Sequence, residues 1–530
     1  MAQAITNECD RCDTCAPLCP VDAIKTIDDR YWIDPTLCND CEGYAEEPVC
    51  ASSCPISVPV PWQAKKGRLK ADERPIRPDL FANGKNHPFA SSIVSWELCN
   101  VLAQRQSLPW ETDADGAMVY GRPINQNRGH LSFQIAEAQP TEIVKPLAGK
   151  KARDRINALD IRAACLHLLY AAYATTLEKP WEEVFEIDDR TIEAYLGLDK
   201  RKDLSKIDKL ALVKELVQQP CSLLTTMHWP QQGKIQAFEL KNSRLWHLQE
   251  IAHHFQEDEL GYQHLVGITV SIKAGQWTQY FLNRKDCKER TAFYQYSTLP
   301  KSLLTAAMGQ WQQHEGAVRM MFWLLFKTKV GKDQRITAPT LMRVAYGADK
   351  VQRAATSRED RKRLLRCFES DLEVLNHFGL KPMFDPVTYP EEIQPLWAKL
   401  SELPDDAEAA LEFWTNDGTL TNRLTDAGPR GKWNRLMNAR FSYFHLPSDW
   451  EQVSPKPEPK RSTRTKKQVQ EPIVLDSQQI VEARKSLGWS QRELAQKTKK
   501  SQSWIRDLEN GRFSAKAKER TLLKQLLGID

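Results

Sequence analysis

Cysteine is concentrated at the start of this 530-residue chain, where eight of the thirteen cysteines lie within the first 54 residues. The eight form two runs, and each run ends in a Cys-Pro pair. The runs are Cys9-x2-Cys12-x2-Cys15-x3-Cys19 and Cys38-x2-Cys41-x8-Cys50-x3-Cys54. Thiols at such spacing can bind a metal ion or a metal cluster, or they can pair as disulfides.

The spacing favours iron–sulfur clusters over both alternatives. No export signal precedes the cysteines, so we expect a cytoplasmic chain, in which thiols stay reduced and disulfides are rare. Zinc sites usually draw two well-separated cysteine pairs around one ion. Three thiols at two-residue intervals suit a larger iron–sulfide cube, and in proteins with two clusters the Cys-Pro thiol ligates the other one. Zinc and disulfides remain open as minor alternatives.

The stretch resembles the bacterial ferredoxins with two [4Fe–4S] clusters, in particular the subgroup with an eight-residue insertion in the second motif. The similarity covers about residues 4–60 and rests on ITNECDRCDTCAPLCPVDAI, YWID and PTLCNDCEGYAEEPVCASSCP. It implies a small α+β fold of two short hairpins and two small helices. It also implies two ligand sets, which are Cys9, Cys12, Cys15 and Cys54 for the first cluster and Cys38, Cys41, Cys50 and Cys19 for the second.

Charged residues distinguish the first cysteine loop from the usual ferredoxin pattern. Asp10 and Arg11 follow the first ligand, where family members often have an apolar residue, and Asp13 adds another charge. We expect this polar loop to leave the first cluster more accessible to water, which tunes both its potential and its lability.

Composition divides the rest of the chain. The prolines after Cys54 predict an extended connector over 61–89, and the stretch 454–472, rich in Pro, Lys and Arg, predicts a flexible basic linker. The N-terminal 60 residues hold eleven acids and three bases, whereas residues 455–530 hold eighteen bases and nine acids. A basic end of this density suits nucleic acid.

Short helices are predicted beyond the linker, over 473–530. Ser490 and Glu493 match a capping box at the start of the helix QRELAQKT, and Ser501 is placed to cap the following helix. Short helices with a tight connection predict an all-α helix-turn-helix domain. The sequences SQRELAQKT and SQSWIRDLENGR resemble the repressor/Cro-like (XRE) family over about residues 476–528.

This resemblance implies binding to double-stranded promoter DNA. By position, the implied contacts are Gln491 to a phosphate, Gln502, Ser503 and Arg506 to base edges in the major groove, and Asn510 and Arg512 to the backbone. Trp504 either contacts a thymine methyl group or is structural, and the two alternatives are evenly balanced. Lys499 stands in the turn where the family usually has glycine, so either the turn is reshaped or Lys499 carries a positive φ at a cost of about 1 kcal/mol.

The middle of the chain predicts a large α-rich α+β region. Strands are expected in CSLLTTMHW, IQAFELKN, GITVSIKAG and WTQYFLN, between several apolar helices. Helices followed by a β-ribbon occur twice, over 90–300 and 301–453, in an order that resembles the tandem winged helices of plasmid replication initiators. An α-rich scaffold or dimerisation region is the alternative.

Other function classes find no support in the sequence. No run of 18 apolar residues predicts a membrane span, and no Gly-rich phosphate loop, HExxH motif or nucleophile elbow predicts an enzyme. His253 and His254 are interpreted as surface or packing residues. The five single cysteines are interpreted as buried core thiols; they are Cys99, Cys165, Cys221, Cys287 and Cys367.

A cluster-binding head and a DNA-reading tail on one chain predict a multidomain transcriptional activator that senses oxygen or redox state. The domain order resembles the cyanobacterial PatB/CnfR-type regulators, which implies activation of nitrogen-fixation genes at low oxygen. The alternatives are an iron–sulfur electron-transfer oxidoreductase subunit and a replication initiator with a structural cluster domain. Expected partners are promoter DNA, RNA polymerase, a redox partner and a second copy of the chain.

Overall fold

The computed structural model divides the chain into two compact units, Met1–Ser454 and Pro455–Asp530. The described residues are 2–6, 8–27, 30–61, 74, 78–138, 144–257, 263–328, 336–400, 406, 408, 411–412, 414–415, 429–450, 477–512, 515 and 517–529. The predicted linker 454–472 and most of the predicted connector 61–89 lie outside these residues. Within these ranges, no helix is long and apolar enough to cross a bilayer.

The cysteine-rich segment, residues 2–61, is a small α+β fold. Strand β1 (Gln3–Ala4) pairs with β4 (Val60–Pro61), and β2 (Ile24–Ile27) pairs with β3 (Arg30–Ile33) as an antiparallel hairpin. A 3-10 helix (Ala16–Leu18) and helix α1 (Val49–Ser53) follow cysteines of the two runs. The hairpin β2–β3 and the two short helices match the prediction, whereas the second strand pair joins the two ends of the segment. Its buried apolar cluster is small and includes two of the thiols; its members are Cys15, Ala23, Ile24, Ile33 and Cys50.

A large α+β region occupies residues 78–450. Its strands are β5 (Asn86–Ala90), β6 (Glu111–Thr112), β7 (Met118–Ile124), β8 (Gly129–Ile135), β9 (Val184–Asp188), β10 (Leu223–Trp229), β11 (Phe238–Arg244), β12 (Trp246–Glu257), β13 (Gln263–Ala274), β14 (Tyr296–Pro300), β15 (Ile336–Thr337), β16 (Lys381–Phe384) and β17 (Arg440–His445). Its helices are α2 (Ile93–Gln104), α3 (Gly149–Asn157), α4 (Arg162–Thr176), α5 (Asp189–Leu196), α6 (Lys206–Cys221), α7 (Trp277–Phe281), α8 (Arg284–Glu289), α9 (Lys301–Gln310), α10 (Glu315–Lys327), α11 (Ala338–Tyr346), α12 (Ala348–Thr356), α13 (Arg358–His377), α14 (Leu396–Leu400) and α15 (Lys432–Leu436). Further 3-10 helices cover Arg105–Ser107, Glu391–Ile393 and Ser448–Trp450.

Two three-stranded sheets of this region repeat one topology. In the first, β9 is followed by α5 and α6 and then by the ribbon β12–β13, with the strand order β12-β13-β9. In the second, β15 is followed by α11, α12 and α13 and then by β16 and β17, with the strand order β15-β17-β16. In both sheets the last strand lies between the other two. We call these arrangements the first and second repeat.

The first repeat carries an insertion, whose strands β10 and β11 were predicted from CSLLTTMHW and IQAFELKN but whose pairing with an earlier sheet was not. Strands β10 and β11 lie between α6 and β12 and join β6, β7 and β8 in a sheet of order β11-β10-β8-β7-β6. A separate pair, β5 with β14, closes residues 86–300 into one body. Helices α4 and α10, apolar on nearly every side, are almost wholly buried, and one continuous hydrophobic cluster extends from Leu80 to Trp450.

Three local predictions were wrong. Residues 277–283 were expected as a strand, but Trp277–Phe281 form α7, because Trp277 and Phe281 are both buried at helical spacing and the Trp277 indole donates to the Leu245 carbonyl (2.9 Å). Residues 86–89 of the predicted connector belong to β5 (Asn86–Ala90), since the buried side chain of Phe89 belongs to the main core. Of the five single cysteines, Cys287 is half-buried and Cys367 is exposed.

The C-terminal unit contains four helices, α16 (Ser477–Ser486), α17 (Gln491–Thr498), α18 (Gln502–Glu509) and α19 (Ala517–Leu527). The Ser490–Glu493 capping box and the Ser501 cap are present as predicted. Lys499 ends α17 in the left-handed conformation at φ 52°. The unit has its own buried core, which includes Ile480, Leu494, Ile505, Leu508 and Leu523.

Candidate iron–sulfur and nucleic-acid sites

The structure gathers the first predicted ligand set around one cavity. Cys9, Cys12, Cys15 and Cys54 all line it, together with the apolar side chains of Ile5 and Val58. Three of these thiols come from a single loop, and the fourth comes from the end of α1, 39 residues beyond Cys15. The four thiols that the ferredoxin resemblance assigned to the first cluster therefore line one cavity, and their ligation of a cluster stays a prediction.

Left-handed backbone conformations turn both cysteine loops. Arg11 (φ 61°) and Asp13 (φ 59°) flank Cys12, and Asp40 (φ 62°) precedes Cys41, itself at φ 59°. Residues other than glycine rarely adopt such angles, and they do so most often at functional sites. In the first loop the strain reverses the chain on both sides of Cys12, which lets three closely spaced thiols face one centre.

Cysteines of the second predicted set also lie close to one another, and Cys50 shares the small core of the segment with Cys15 of the first set. Cys50 lies close enough to Cys38 and Cys41 for their thiols to act on it electrostatically. Burial, followed by these neighbouring thiols, raises the pKa of Cys50 to about 12. Cys19 and Cys38 pack against the same small core as Cys50. Thiols in such surroundings become thiolates only when a cationic centre offsets their charge, as the iron of a cluster does.

Backbone amides point at sulfur in the second set. The N–H of Ala23 lies 3.3 Å from the sulfur of Cys19, and the N–H of Gln3 lies 3.5 Å from the sulfur of Cys38. Hydrogen bonds of this kind stabilise thiolates and tune cluster potentials. Within the described ranges, no three His, Cys, Asp or Glu side chains are arranged to hold a single metal ion.

The two sets differ in exposure. In the first set Cys12 is exposed and Cys15 is buried, whereas in the second set Cys41 and Cys50 are buried and Cys19 and Cys38 are half-buried. Asp10, Arg11 and Asp13 are also exposed, as the polar first loop predicted. The first centre is therefore the more accessible to water and to oxidants.

In the C-terminal unit, α18 presents the predicted base-reading side chains. Gln502, Ser503 and Arg506 are exposed on one face, while Ile505 and Leu508 anchor the opposite face in the core. Trp504 is half-buried against that core, and the Lys500 ammonium lies 5.2 Å from the centre of its ring. Asn510 and Arg512 are exposed after the helix, and the Arg512 guanidinium contacts Asp507 at 3.0 Å.

A buried ion pair fixes α18 against α16. Arg484 donates to both carboxylate oxygens of Glu509, at 2.6 and 3.0 Å. The Gln491 amide donates to the same carboxylate at 2.8 Å. The predicted phosphate contact of Gln491 stays a prediction, and in this structure its side chain positions Glu509.

Comparisons with known proteins find similarity at both ends of the chain. Ferredoxin-2 of Chlorobaculum tepidum is 50% identical over 56 residues, which are 11% of this chain and 90% of that protein. Ferredoxin-3 of the same organism is 49% identical over 55 residues, 10% of this chain and 89% of the relative. The N-terminal segment belongs to the bacterial ferredoxins. A "Ferredoxin-like protein in nif region" from Bradyrhizobium diazoefficiens is 38% identical to the chain over 52 residues, 10% of the chain and 70% of that protein.

The C-terminal match covers another small part of the chain. A helix-turn-helix family profile matches residues 480–526, which include α17, α18 and the turn between them. No solved structure matches the chain. Together the two ends show an iron–sulfur type of segment and a DNA-binding type of unit on one chain.

The ferredoxin segment is docked on the first repeat through a buried ion pair. Asp34, directly after β3, accepts from the Lys214 ammonium of α6 at 2.5 Å, and the two side chains are only 3% and 10% exposed. Lys214 also donates to the Thr36 hydroxyl at 2.9 Å. Burial alone would raise the pKa of Asp34, but the Lys214 ammonium and the Thr36 hydrogen bonds outweigh it, and the pKa lies below its ordinary value.

The same residue shapes the turn that leads to the second cluster site. The Asp34 carbonyl accepts from the backbone N–H of Cys38 at 2.9 Å, while its carboxylate accepts from the backbone N–H of Thr36, also at 2.9 Å. A predicted cluster ligand and a contact with α6 are therefore four residues apart on one hydrogen-bonded turn.

An aromatic contact accompanies the ion pair. Trp32 of β3 is buried against β12, with its ring centre 4.8 Å from that of Phe255 and 5.1 Å from that of His253. The His253 Nε2 atom lies 3.7 Å from the Asp34 carboxylate, and burial lowers the pKa of His253 to about 4, so the imidazole is neutral. A cleft of about 930 Å³ lies beside these residues, between β2–β3, α6 and β12.

Sequence reasoning missed this docking site. His253 was read as an ordinary surface or packing residue, and Asp34, Trp32 and Lys214 were not considered. The available signal was Lys214 itself, a cation within the apolar run LALVKELV of α6. A charge at such a position usually needs a buried partner, although the sequence does not say which acid supplies it.

Proposed function

We propose that this chain is a DNA-binding transcriptional regulator whose output depends on oxygen or redox state. In this proposal the ferredoxin segment holds two [4Fe–4S] clusters, with Cys9, Cys12, Cys15 and Cys54 at the first and Cys19, Cys38, Cys41 and Cys50 at the second. The C-terminal unit reads promoter DNA through Gln502, Ser503 and Arg506 of α18. The chain acts as a regulator and catalyses no reaction of its own.

The turn from Asp34 to Cys38 is the observation that carries the proposal. It links a cluster ligand to the buried contact with Lys214, so the state of the cluster and the position of the segment on α6 depend on the same few residues. A small domain with little apolar core depends on its cluster for folding. Loss of the second cluster would release the turn and with it the ion pair to α6, which gives the chain two structural states.

The two proposed clusters differ in exposure, and we propose a different role for each. The first lies behind the exposed Cys12 and its charged loop, where an oxidant can reach it. The second lies among buried thiols next to the large region. We propose that oxygen attacks the first cluster first, and that the second cluster transmits this loss to the large region.

Nitrogen-fixation genes are the proposed targets, and activation at low oxygen is the proposed direction. Two observations support this choice: the domain order resembles the PatB/CnfR-type regulators, and one similar ferredoxin is named for its place in a nif region. Because nitrogenase genes serve an oxygen-sensitive enzyme, a regulator that is active only with intact clusters suits them. RNA polymerase and a second copy of the chain are the proposed protein partners.

A replication initiator with a structural iron–sulfur segment is the second candidate. The repeated order of strand, helices and ribbon in the large region favours it, since we propose that each repeat is a winged-helix-like unit. In that case the chain would bind a replication origin, and its transcriptional output would not change with the clusters.

Matched cysteine variants test the proposal. Cys41→Ala removes one buried ligand, and Cys287→Ala removes a half-buried thiol outside the ferredoxin segment. Anaerobically purified wild type should contain iron and sulfide in the amounts of two clusters and should activate a nitrogenase promoter. Cys41→Ala should lose cluster iron and activation, while Cys287→Ala should keep both.

Binding to DNA selected from a random library separates the candidates. The proposal expects Cys41→Ala to retain base-specific binding through the C-terminal unit, with the loss confined to activation. Normal reporter output from an iron-free Cys41→Ala protein would refute the sensing role. Selection of origin-like repeats without any promoter activation would favour the initiator.

A further inference from the structure

A basic surface on the second repeat is separate from both sites described above. Lys350 and Arg353 of α12 and Arg363 of α13 are exposed and line one shallow depression of about 250 Å³. We call these three residues the α12–α13 patch. Asp360 is the acid at the rim, and Tyr346, Leu364 and Cys367 complete the lining.

Within the described ranges no acidic side chain pairs with the three cations of this patch, unlike several buried or half-buried cations of the large region. Lys432 contacts Glu369 at 2.6 Å, and Lys206 contacts Asp189 at 2.5 Å and Glu193 at 2.7 Å. No ion pair within the described ranges includes Lys350, Arg353 or Arg363. Three unneutralised cations from two helices around one concave surface produce a local positive field.

The position of the patch within the repeat strengthens the case. Helix α6 of the first repeat is covered by the ferredoxin segment, and its Lys214 is neutralised by Asp34. Helix α13 occupies the equivalent place in the second repeat, between the first strand and the ribbon, yet Lys362, Arg363 and Arg366 on it are exposed. In the second repeat, α13, which corresponds to α6, is therefore accessible to a partner.

We infer that the α12–α13 patch binds the phosphate backbone of double-stranded DNA, as a second contact of this chain with its DNA. Three of the four charged side chains that line the patch are positive, and its aliphatic residue Leu364 is buried, whereas protein interfaces have a desolvated apolar or aromatic core. A helix-turn-helix unit on the same chain supplies duplex DNA at high local concentration. The inference goes beyond the proposed function, because the C-terminal unit alone could read a promoter.

The test measures how binding of the full-length anaerobic protein to a fluorescent duplex depends on salt. The patch variant carries Lys350→Gln, Arg353→Gln and Arg363→Gln. The matched control carries Lys150→Gln, Lys151→Gln and Arg153→Gln on α3, three cations that are equally exposed. A third variant, Gln502→Ala with Arg506→Ala, weakens the C-terminal reader alone.

The expected result follows from counterion release. Each lost phosphate contact lowers the slope of log affinity against log salt by about 0.9, so the patch variant should lose about 2.7. When salt rises from about 50 to 200 mM, the fold decrease in DNA affinity should therefore be about 40 times smaller for the patch variant than for the wild type. The control should keep the wild-type slope. Bound duplex should also protect Cys367 from alkylation, measured by mass spectrometry of its peptide.

Each outcome decides the inference. A wild-type slope in the patch variant overturns it, and so does an equal loss in the control, which would mean diffuse charge rather than a site. A loss seen only with single-stranded RNA, or only with an acidic protein, overturns it in favour of that partner. A reader variant that binds like the wild type, beside a patch variant that loses the slope, would sustain this inference and refute the DNA-reading role of α18.

Discussion

Replacement of Asp34 by asparagine should loosen the ferredoxin segment from the first repeat while every cysteine stays in place. Asparagine keeps the shape of the turn, but it leaves the Lys214 ammonium buried without a counter-charge. Because the two side chains are 3% and 10% exposed, water screens the pair little. Removal of one partner from a buried pair costs about 3–5 kcal/mol.

Lys214 can instead lose its proton, and this deprotonation costs a similar free energy. Burial already lowers the pKa of Lys214 below its ordinary value of 10.5, against the pull of Asp34. Deprotonation at pH 7 from that ordinary value costs about 5 kcal/mol, at about 1.36 kcal/mol per pH unit. In either case, the fraction of molecules whose ferredoxin segment is released from α6 should rise by about a hundredfold or more, because about 1.4 kcal/mol changes an equilibrium constant tenfold.

Hydrogen exchange measured by mass spectrometry on the anaerobic protein can follow this release. Peptides that cover 24–37 and 206–221 should exchange faster in Asp34→Asn, and the double variant Asp34→Asn, Lys214→Met should recover much of the protection. Glu369→Gln, which breaks the buried pair with Lys432 in the second repeat, is the matched control and should leave 24–37 protected. Wild-type exchange in Asp34→Asn, or a double variant less protected than the single one, would refute the reasoning.

Four further predictions concern other parts of the chain. His167 is fully buried, and burial lowers its pKa from 6.5 to about 4. As the pH falls, the unfolded chain therefore protonates this histidine before the folded chain does. The contribution of His167 to the free energy of unfolding should be complete above about pH 6.5 and fall by up to about 3 kcal/mol toward pH 4. Urea unfolding across this range should show the fall, and His167→Gln should make it shallower while leaving the part that His253 contributes. Lys499→Gly should stabilise the C-terminal unit by about 1 kcal/mol in thermal unfolding, because Lys499 has φ 52°, and a lower melting temperature would contradict this. Gln502→Ala should reduce base discrimination at one position by about 1–3 kcal/mol in a binding-site selection, and an unchanged profile would exclude the assigned register. Controlled exposure to air should bleach the first cluster before the second, measured by paramagnetic resonance of Cys12→Ala against Cys41→Ala, and simultaneous loss would argue against unequal exposure.

Local patterns predicted the two ends of the chain well. The cysteine spacing placed three thiols of the first set on one loop, and the ferredoxin resemblance supplied the fourth, Cys54, which lines the same cavity. The capping box at Ser490 was also predictable, since it depends on residues three positions apart, whereas a reshaped turn and a left-handed Lys499 both remained open. The apolar helices α4 and α10 were recognised because they are hydrophobic on nearly every side.

Features that depend on distant residues could not be predicted in this way. Asp34 and Lys214 are 180 positions apart, and the local sequence around either residue does not indicate that the other is its partner. The segment around Trp277 has the composition of a strand, but packing against Leu245 makes it a helix. Cys367 was assigned to the core on residue type alone, although it lies beside Arg366 on the polar face of α13, where helical position rather than residue type decides exposure.

Transcription from a nitrogenase promoter with one anaerobic preparation, assayed before and after its iron is removed, examines the sensing role most directly. We expect the coloured, iron- and sulfide-containing protein to activate the promoter, and the iron-free protein to bind the same DNA without activating it. Full activation by freshly isolated protein that contains neither iron nor sulfide would mean that the clusters do not govern this chain.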